Sequence, residues 1–366
     1  MAEGHTIERL KELQALPLER KIGFTAARIT EWYSHYNGQV YVSFSGGKDS
    51  TVLLHIARTL FPDIKAVFID TGLEYPEIRE FVKTFNNVDW IKPKMVFTDV
   101  IKKYGYPVIG KDVANKVICV RNVLEKLKKK FHATGKLTDL LPTACRLIKS
   151  KSPSLTFGGG GHGASANSSR PTFYQRFQPG IGWGGGTRFN YYKWRYLIDA
   201  PFKISDQCCG VMKKSPANRY TRETGRMPMI ATMTEESMIR QTQWLKDGCN
   251  AFNTKHPKSS PMSFWTEQDV LRYIKLKGLK IASVYGDIVE MPDGKLSTTG
   301  CERTGCVFCL FGIKSDRKPN RIQRLAKTHP TLWKYCVYKL GLKEVMEYIG
   351  EPYEPEPDLF DGVDEK

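Results

Sequence analysis

Residues 40–44 (Val40, Tyr41, Val42, Ser43, Phe44) alternate and are rich in β-branched and aromatic side chains, the pattern of a strand entering a sheet. After the short polar stretch Ser45-Gly46-Gly47-Lys48-Asp49-Ser50, the apolar residues Val52, Leu53, Ile56 and Leu60 recur at helical spacing. The run Lys65-Ala66-Val67-Phe68-Ile69 predicts a second, buried strand, with a helix running on to Phe85. Residues 88–91 predict a third strand, again followed by a helix. Upstream, residues 6–16 and 17–36 predict two amphipathic helices. Ile7, Leu10 and Leu13 share a face in the first, and Ile22, Ala26, Ile29 and Tyr33 in the second. Pro17 suits a helix start, and Asn37-Gly38 supplies the stop before the first strand. Strands alternating with helices predict a parallel, doubly wound α/β sheet.

Further along, residues 112–131 predict a basic helix, residues 194–199 a strand, and residues 228–233 a strand that leads into another helix. Thr266 and Asp269 form a capping box ahead of a helix with a clear apolar face. Residues 151–190 depart from globular composition, with Gly158 to Gly161, a polar run from Ser165 to Ser169, and Gly184 to Gly186. The expected organisation is N-terminal helices (1–37), an α/β core (38–150), a flexible Gly/Ser-rich insertion (151–190), a continuation of the core (191–290), a smaller, cysteine-rich and helical C-terminal region (291–350), and an acidic tail (351–366).

The stretch between the first strand and its helix carries the chemistry. Glycines let the backbone turn sharply and approach a ligand, and the following helix N-terminus presents free N–H groups and the positive end of its dipole. Such a spot suits a phosphate. Lys48 adds a cation, Ser43, Ser45 and Ser50 add hydroxyls, and Asp49 can hold a magnesium ion that bridges phosphate oxygens. The spacing is not that of a Walker A loop, because the four residues between glycine and Gly-Lys are missing. At the end of the second strand, Asp70, Thr71 and Gly72 stand where ligands bind in open α/β sheets.

Ser45-Gly46-Gly47-Lys48-Asp49-Ser50 resembles the PP-loop of the ATP pyrophosphatase superfamily, and Phe68-Ile69-Asp70-Thr71-Gly72 with Glu74, Pro76 and Glu77 resembles the second motif of its phosphoadenylyl-sulfate (PAPS) reductase family. The resemblance implies an adenine nucleotide α-hydrolase-like fold. It implies that Ser43, Ser45, Gly46, Gly47, Lys48, Asp49, Ser50, Asp70, Thr71 and Gly72 border an adenylyl nucleotide, with Lys48, Asp49, Ser45 and Ser50 as the catalytic set. Glu235, Glu236 and Ser237 are similar to the family's substrate-binding strand end. The family's arginine position there holds Met233, so Arg240 or Arg226 is expected to supply the charge, and Arg303 is a further candidate on the substrate side.

Cys208-Cys209, followed at long range by Cys306-Val307-Phe308-Cys309, resembles the cluster-binding pattern of adenylyl-sulfate-type reductases. That implies a 4Fe–4S cluster on Cys208, Cys209, Cys306 and Cys309, with Cys301 as an alternative ligand. A zinc site is the competing expectation, since four thiolates serve it equally. The family's reductases attack sulfur with a cysteine in a Glu-Cys-Gly motif. After Cys309 this chain has only Cys336, set among apolar and aromatic residues and expected in the core.

Charge adds a partner. Net charge is +18, and residues 351–366 carry seven acids and one lysine, a balance of −6, so residues 1–350 hold +24. So basic a body suits a polyanion such as tRNA or DNA, or else a small phosphorylated substrate. Lysines 126, 128, 129 and 130 lie at the end of the basic helix, and the rings and arginines of residues 173–194 suit stacked bases or a loop folded on the sheet. No apolar run of membrane-spanning length occurs and the first residues do not form a signal sequence, so a cytoplasmic protein with reduced cysteines is expected. Together these features predict a PAPS-reductase-family enzyme that cleaves ATP with magnesium to activate an acceptor, in concert with a sulfur donor protein. The alternatives are a sulfonucleotide reductase that releases sulfite, or a non-catalytic nucleotide- and nucleic-acid-binding protein.

Overall fold

The computed structural model describes residues 5–149, 175–178 and 190–356. Most of the glycine-rich insertion expected at 151–190, and residues 357–366 of the acidic tail, lie outside the described residues. The chain divides into two compact units, Met1–Phe97 with Gly210–Val307, and Thr98–Cys209 with Phe308–Lys366.

The first unit begins with helices α1 (Ile7–Ala15) and α2 (Leu18–His35). Thr6 caps α1 by accepting from the Arg9 N–H, and α2 ends where Asn37 and Gly38 take up positive φ. The alternation follows: β1 (Val40–Ser43), α3 (Lys48–Leu60), β2 (Lys65–Ile69), α4 (Pro76–Lys83) and β3 (Val88–Ile91). Among the described residues the sheet has six strands. Their order runs β3, β2, β1, then Met227–Met229, Lys258–Ser259 and Asn250–Ala251. All neighbours pair in parallel except the last two.

β1 is therefore an interior strand, with Tyr41 opposite Lys65 on one side and Pro228 on the other. Val40, Val42 and Phe44 are buried, as are Val52, Leu53 and Ile56 of α3. Each such side chain contributes roughly 1.5–3 kcal/mol on leaving water. The expected capping box is present: Thr266 accepts from the Asp269 N–H at 3.3 Å, and Asp269 accepts from the Thr266 N–H at 2.8 Å. Asp269 also forms a buried ion pair with Lys21 of α2 at 2.5 Å, which ties α2 to the helix Glu267–Lys277.

In the second unit the helix Lys111–Lys130 is the longest described element, and short strands Val108–Ile109 and Leu310–Phe311 pair in parallel. The strand expected at 194–199 is instead part of a 3₁₀ helix, Tyr192–Asp199. Its two buried residues, Leu197 and Ile198, are adjacent rather than alternating. Its end is fixed by Asp199, whose carboxylate accepts from the N–H and hydroxyl of Thr138, and Tyr191 just before it is held by Asp112. Among the described residues, no helix is long and apolar enough to cross a membrane.

Candidate functional site

β1 delivers the chain to the turn, and the Phe44 N–H still pairs with the Val67 carbonyl at 2.9 Å. Gly46 then adopts φ +72°, where a Cβ would also lie 2.8 Å from methyls of Ile78 and Val82 on α4. Only glycine fits there. Gly47 caps α3 in extended conformation, and the first helical donor is the Thr51 N–H, bonded to the Gly47 carbonyl at 3.0 Å. The amides of Lys48, Asp49 and Ser50 precede that donor in the first turn, so they point out of the helix end. The serines brace the loop. Ser50 Oγ donates to the Gly47 carbonyl at 3.0 Å and accepts from the Ser45 N–H at 3.2 Å, and the two hydroxyls are 3.1 Å apart.

Lys48 is buried. Its Nζ lies 2.9 Å from Glu267 Oε1 and 5.3 Å from the centre of the Tyr285 ring. Tyr285 in turn shares a short hydrogen bond with Thr304, and burial pushes its hydroxyl up to about 12. Burial also raises the Asp49 carboxyl, opposed by the Lys48 ammonium and reinforced by the Glu267 carboxylate.

The residues expected on the substrate side are brought to this turn. Glu235 accepts from the Glu267 N–H at 2.9 Å, which links the end of the central sheet to the partner of Lys48. Glu236 pairs with Arg240, and its other oxygen lies 3.7 Å from Arg303. Both guanidiniums favour the ionised form of Asp49, and burial together with the neighbouring Arg303 lowers the Arg240 pKa. Ser237 caps the helix Met238–Asp247 by accepting from the Arg240 N–H. Arg240 and Arg303 are the guanidiniums beside Glu236. Arg226 sits at the opposite end of β1, within reach of the Val40 carbonyl, and Met233 is buried.

Asp70 is buried at the end of β2. It accepts from the Gly72 N–H at 3.1 Å and pairs with Arg79 of α4 at 2.9 Å. Thr71 donates to Glu74 through its N–H and hydroxyl, leaving Gly72 exposed at φ +75°. Sequence reasoning missed Glu267, Tyr285, Thr304 and Arg79 as parts of the site. They arrive by tertiary contact, although Glu267 lies within the capping box Thr266–Asp269 and Thr304 stands beside Arg303.

The cysteines fall on both units: Cys208, Cys209 and Cys309 on the second, Cys301 and Cys306 on the first. Among the described residues, no group of three or more His, Cys, Asp or Glu is arranged to hold a metal ion. Among the described residues, neither unit by itself assembles a donor set for a cluster or zinc. Cys336 is buried, and burial pushes its thiol up to about 12. That is the state of a core thiol, not of an activated thiolate.

Residues 39–136, which hold β1, the glycine turn and the end of β2, match the profile of the phosphoadenosine phosphosulfate reductase domain. This stretch is thus a PAPS-reductase-like domain set within a longer chain. Two uncharacterized proteins of Methanocaldococcus jannaschii are similar to the chain. One is 34% identical over 117 residues, which is 31% of this chain and 28% of that protein. The other is 40% identical over 91 residues, covering 24% and 18% respectively. An adenosine 5'-phosphosulfate reductase of Bacillus cereus is 28% identical over 87 residues, 22% of this chain and 37% of that enzyme. The chain spans well under half the length of each of these relatives.

Proposed function

We propose that the glycine turn binds the phosphates of an adenylyl nucleotide, ATP with magnesium, and that the protein cleaves it between the α- and β-phosphates to activate an acceptor for sulfur transfer. The observation that supports this reading most is the convergence on one helix N-terminus of Gly46 in a left-handed conformation, the first-turn amides of α3 and the buried Lys48. That combination favours a phosphate held by backbone N–H groups and one cation. Lys48 would exchange Glu267 for the phosphate oxygens and stabilise the charge that develops on departing pyrophosphate. Ser45 and Ser50 would keep the turn in shape, and Arg240 and Arg303 would orient the anionic portion of the acceptor complex. Asp49 fits a magnesium ion, which often takes only one or two carboxylates and completes its shell with phosphate and water oxygens. When bound, that ion would withdraw charge from the bridging phosphate oxygens. An acceptor oxygen would attack the α-phosphorus as pyrophosphate leaves with the electron pair, and a sulfur nucleophile from a donor protein would then displace AMP.

The basic body supports tRNA or DNA as the acceptor. The cysteine-ligated 4Fe–4S centre, or zinc in its place, stays part of the proposal without a role in these steps. A second reading, a reductase of adenylyl sulfate or PAPS, draws on the similarity to the Bacillus cereus enzyme. The burial of Cys336 weighs against it. Incubation with ATP and magnesium, and separately with PAPS and adenylyl sulfate, tests both readings. Pyrophosphate and AMP from ATP support the first, and sulfite from the sulfonucleotides supports the second.

A further inference from the structure

Behind the glycine turn, within the first unit, lies a cavity of about 460 Å³ that the nucleotide reading does not use. One wall is a stripe of α3 that carries Leu54, His55 and Arg58, another is Phe81 of α4 with Phe85 just beyond its end, and Lys280 stands at the rim. The rings are fixed in place. Phe85 packs on Phe81 at 5.0 Å between centres and on Phe44 at 4.8 Å. The charge balance of the lining is one-sided, because none of its described residues is a carboxylate.

Arg58 is half-buried and bonded to three main-chain carbonyls, those of Ile64, Asn86 and Asn87, at 2.7–3.4 Å. The carbonyls take its Nε and Nη2 donors without neutralising its charge, and burial lowers its pKa. His55 is bonded to the Tyr273 hydroxyl at 2.9 Å, and Lys277 contributes a further positive field there. A cavity of this volume, lined by rings and aliphatic groups with polar and cationic groups among them, has the make-up of a small-molecule site.

We propose that this cavity binds an organic monoanion with a flat aromatic body, the rings of Phe81 and Phe85 taking the body and Arg58 with Lys280 taking the anionic group. The site is separate from the glycine turn. None of Ser45 to Ser50 lines it, although Thr51, which donates to the Gly47 carbonyl at 2.9 Å, lies on its α3 wall.

The test uses the full-length protein and 8-anilinonaphthalene-1-sulfonate as the probe, with neutral N-phenyl-1-naphthylamine as its uncharged counterpart. The expected result is saturable one-to-one binding of the sulfonate, retained in saturating ATP and magnesium. Lys280→Glu, at an exposed position, weakens it by about fivefold or more through charge reversal near the surface. The neutral probe binds more weakly and is indifferent to Lys280→Glu. Thr84→Trp, which fills the cavity from the C-terminal cap of α4, removes binding of both. The proposal is overturned by the absence of saturable binding, by displacement with ATP, or by affinity for the sulfonate that Lys280→Glu leaves unchanged in a variant with wild-type circular dichroism.

Discussion

At the residue scale, the site is a set of cations each held by an acid: Lys48 by Glu267, Arg240 by Glu236, Arg79 by Asp70. Lys48 is buried while the side chain of Glu267 is 45% exposed, so a phosphate can displace the carboxylate toward water at small cost. Glu267→Gln is therefore expected to tighten nucleotide binding several-fold, measured by isothermal titration. Its main-chain bond to Glu235 stays intact. Weaker binding in that variant would show that Glu267 supports the nucleotide instead of competing with it.

Asp49 makes a second prediction, on pH. Burial raises its folded pKa above the unfolded value, so the folded state binds the extra proton and stability falls as pH rises through that raised pKa. Asp49→Asn is expected to melt higher than the wild type at neutral pH while losing magnesium-dependent turnover. An unchanged or lower melting temperature would contradict the burial cost assigned to this carboxylate.

At the scale of elements, two glycines with nearly the same φ differ in what surrounds them. At Gly72 a Cβ meets nothing within 4 Å, whereas at Gly46 it meets two methyls of α4 at 2.8 Å. Gly72→Ala should cost about 1 kcal/mol for the left-handed backbone alone. Gly46→Ala should cost about 3 kcal/mol, because overpacking against α4 is added. Equal losses in urea unfolding would mean that α4 yields to the new methyl. The Lys21–Asp269 pair gives another test. Lys21→Met leaves a buried carboxylate without its cation and should cost about 3–5 kcal/mol.

What could be read from the chain also divides at this scale. The turn between β1 and α3, the second strand end and the capping box at Thr266 were legible because each is a local pattern of period, glycine and cap. The placement of Met227–Met229 beside β1, and the arrival of Glu267, Tyr285 and Thr304 around Lys48, were not legible. Those contacts join residues separated by about half the chain or more, and no local periodicity encodes them. The segment 194–199 misled for a related reason. Its aromatic and β-rich composition suits a strand, but Asp199 and Thr138 hold it as a 3₁₀ helix.

At the scale of the whole molecule, the proposed function joins the +24 carried by residues 1–350 to the glycine turn, as a nucleotide-cleaving site that would serve a polyanionic acceptor. Iron and acid-labile sulfide should be present in equal amounts in protein prepared without oxygen if the cysteines hold the proposed cluster. Zinc alone would replace that part of the account, and neither metal would remove it.

The central claim is tested most directly by following pyrophosphate from ATP and magnesium, with and without tRNA or DNA, in the wild type and in Lys48→Ala. The account predicts pyrophosphate and AMP from the wild type, stimulated by the nucleic acid. It also predicts a loss of about a hundredfold or more in a folded Lys48→Ala variant, the scale of removing one preorganised charge-stabilising group. Undiminished turnover in that variant, or sulfite from the sulfonucleotides with no pyrophosphate from ATP, would contradict it.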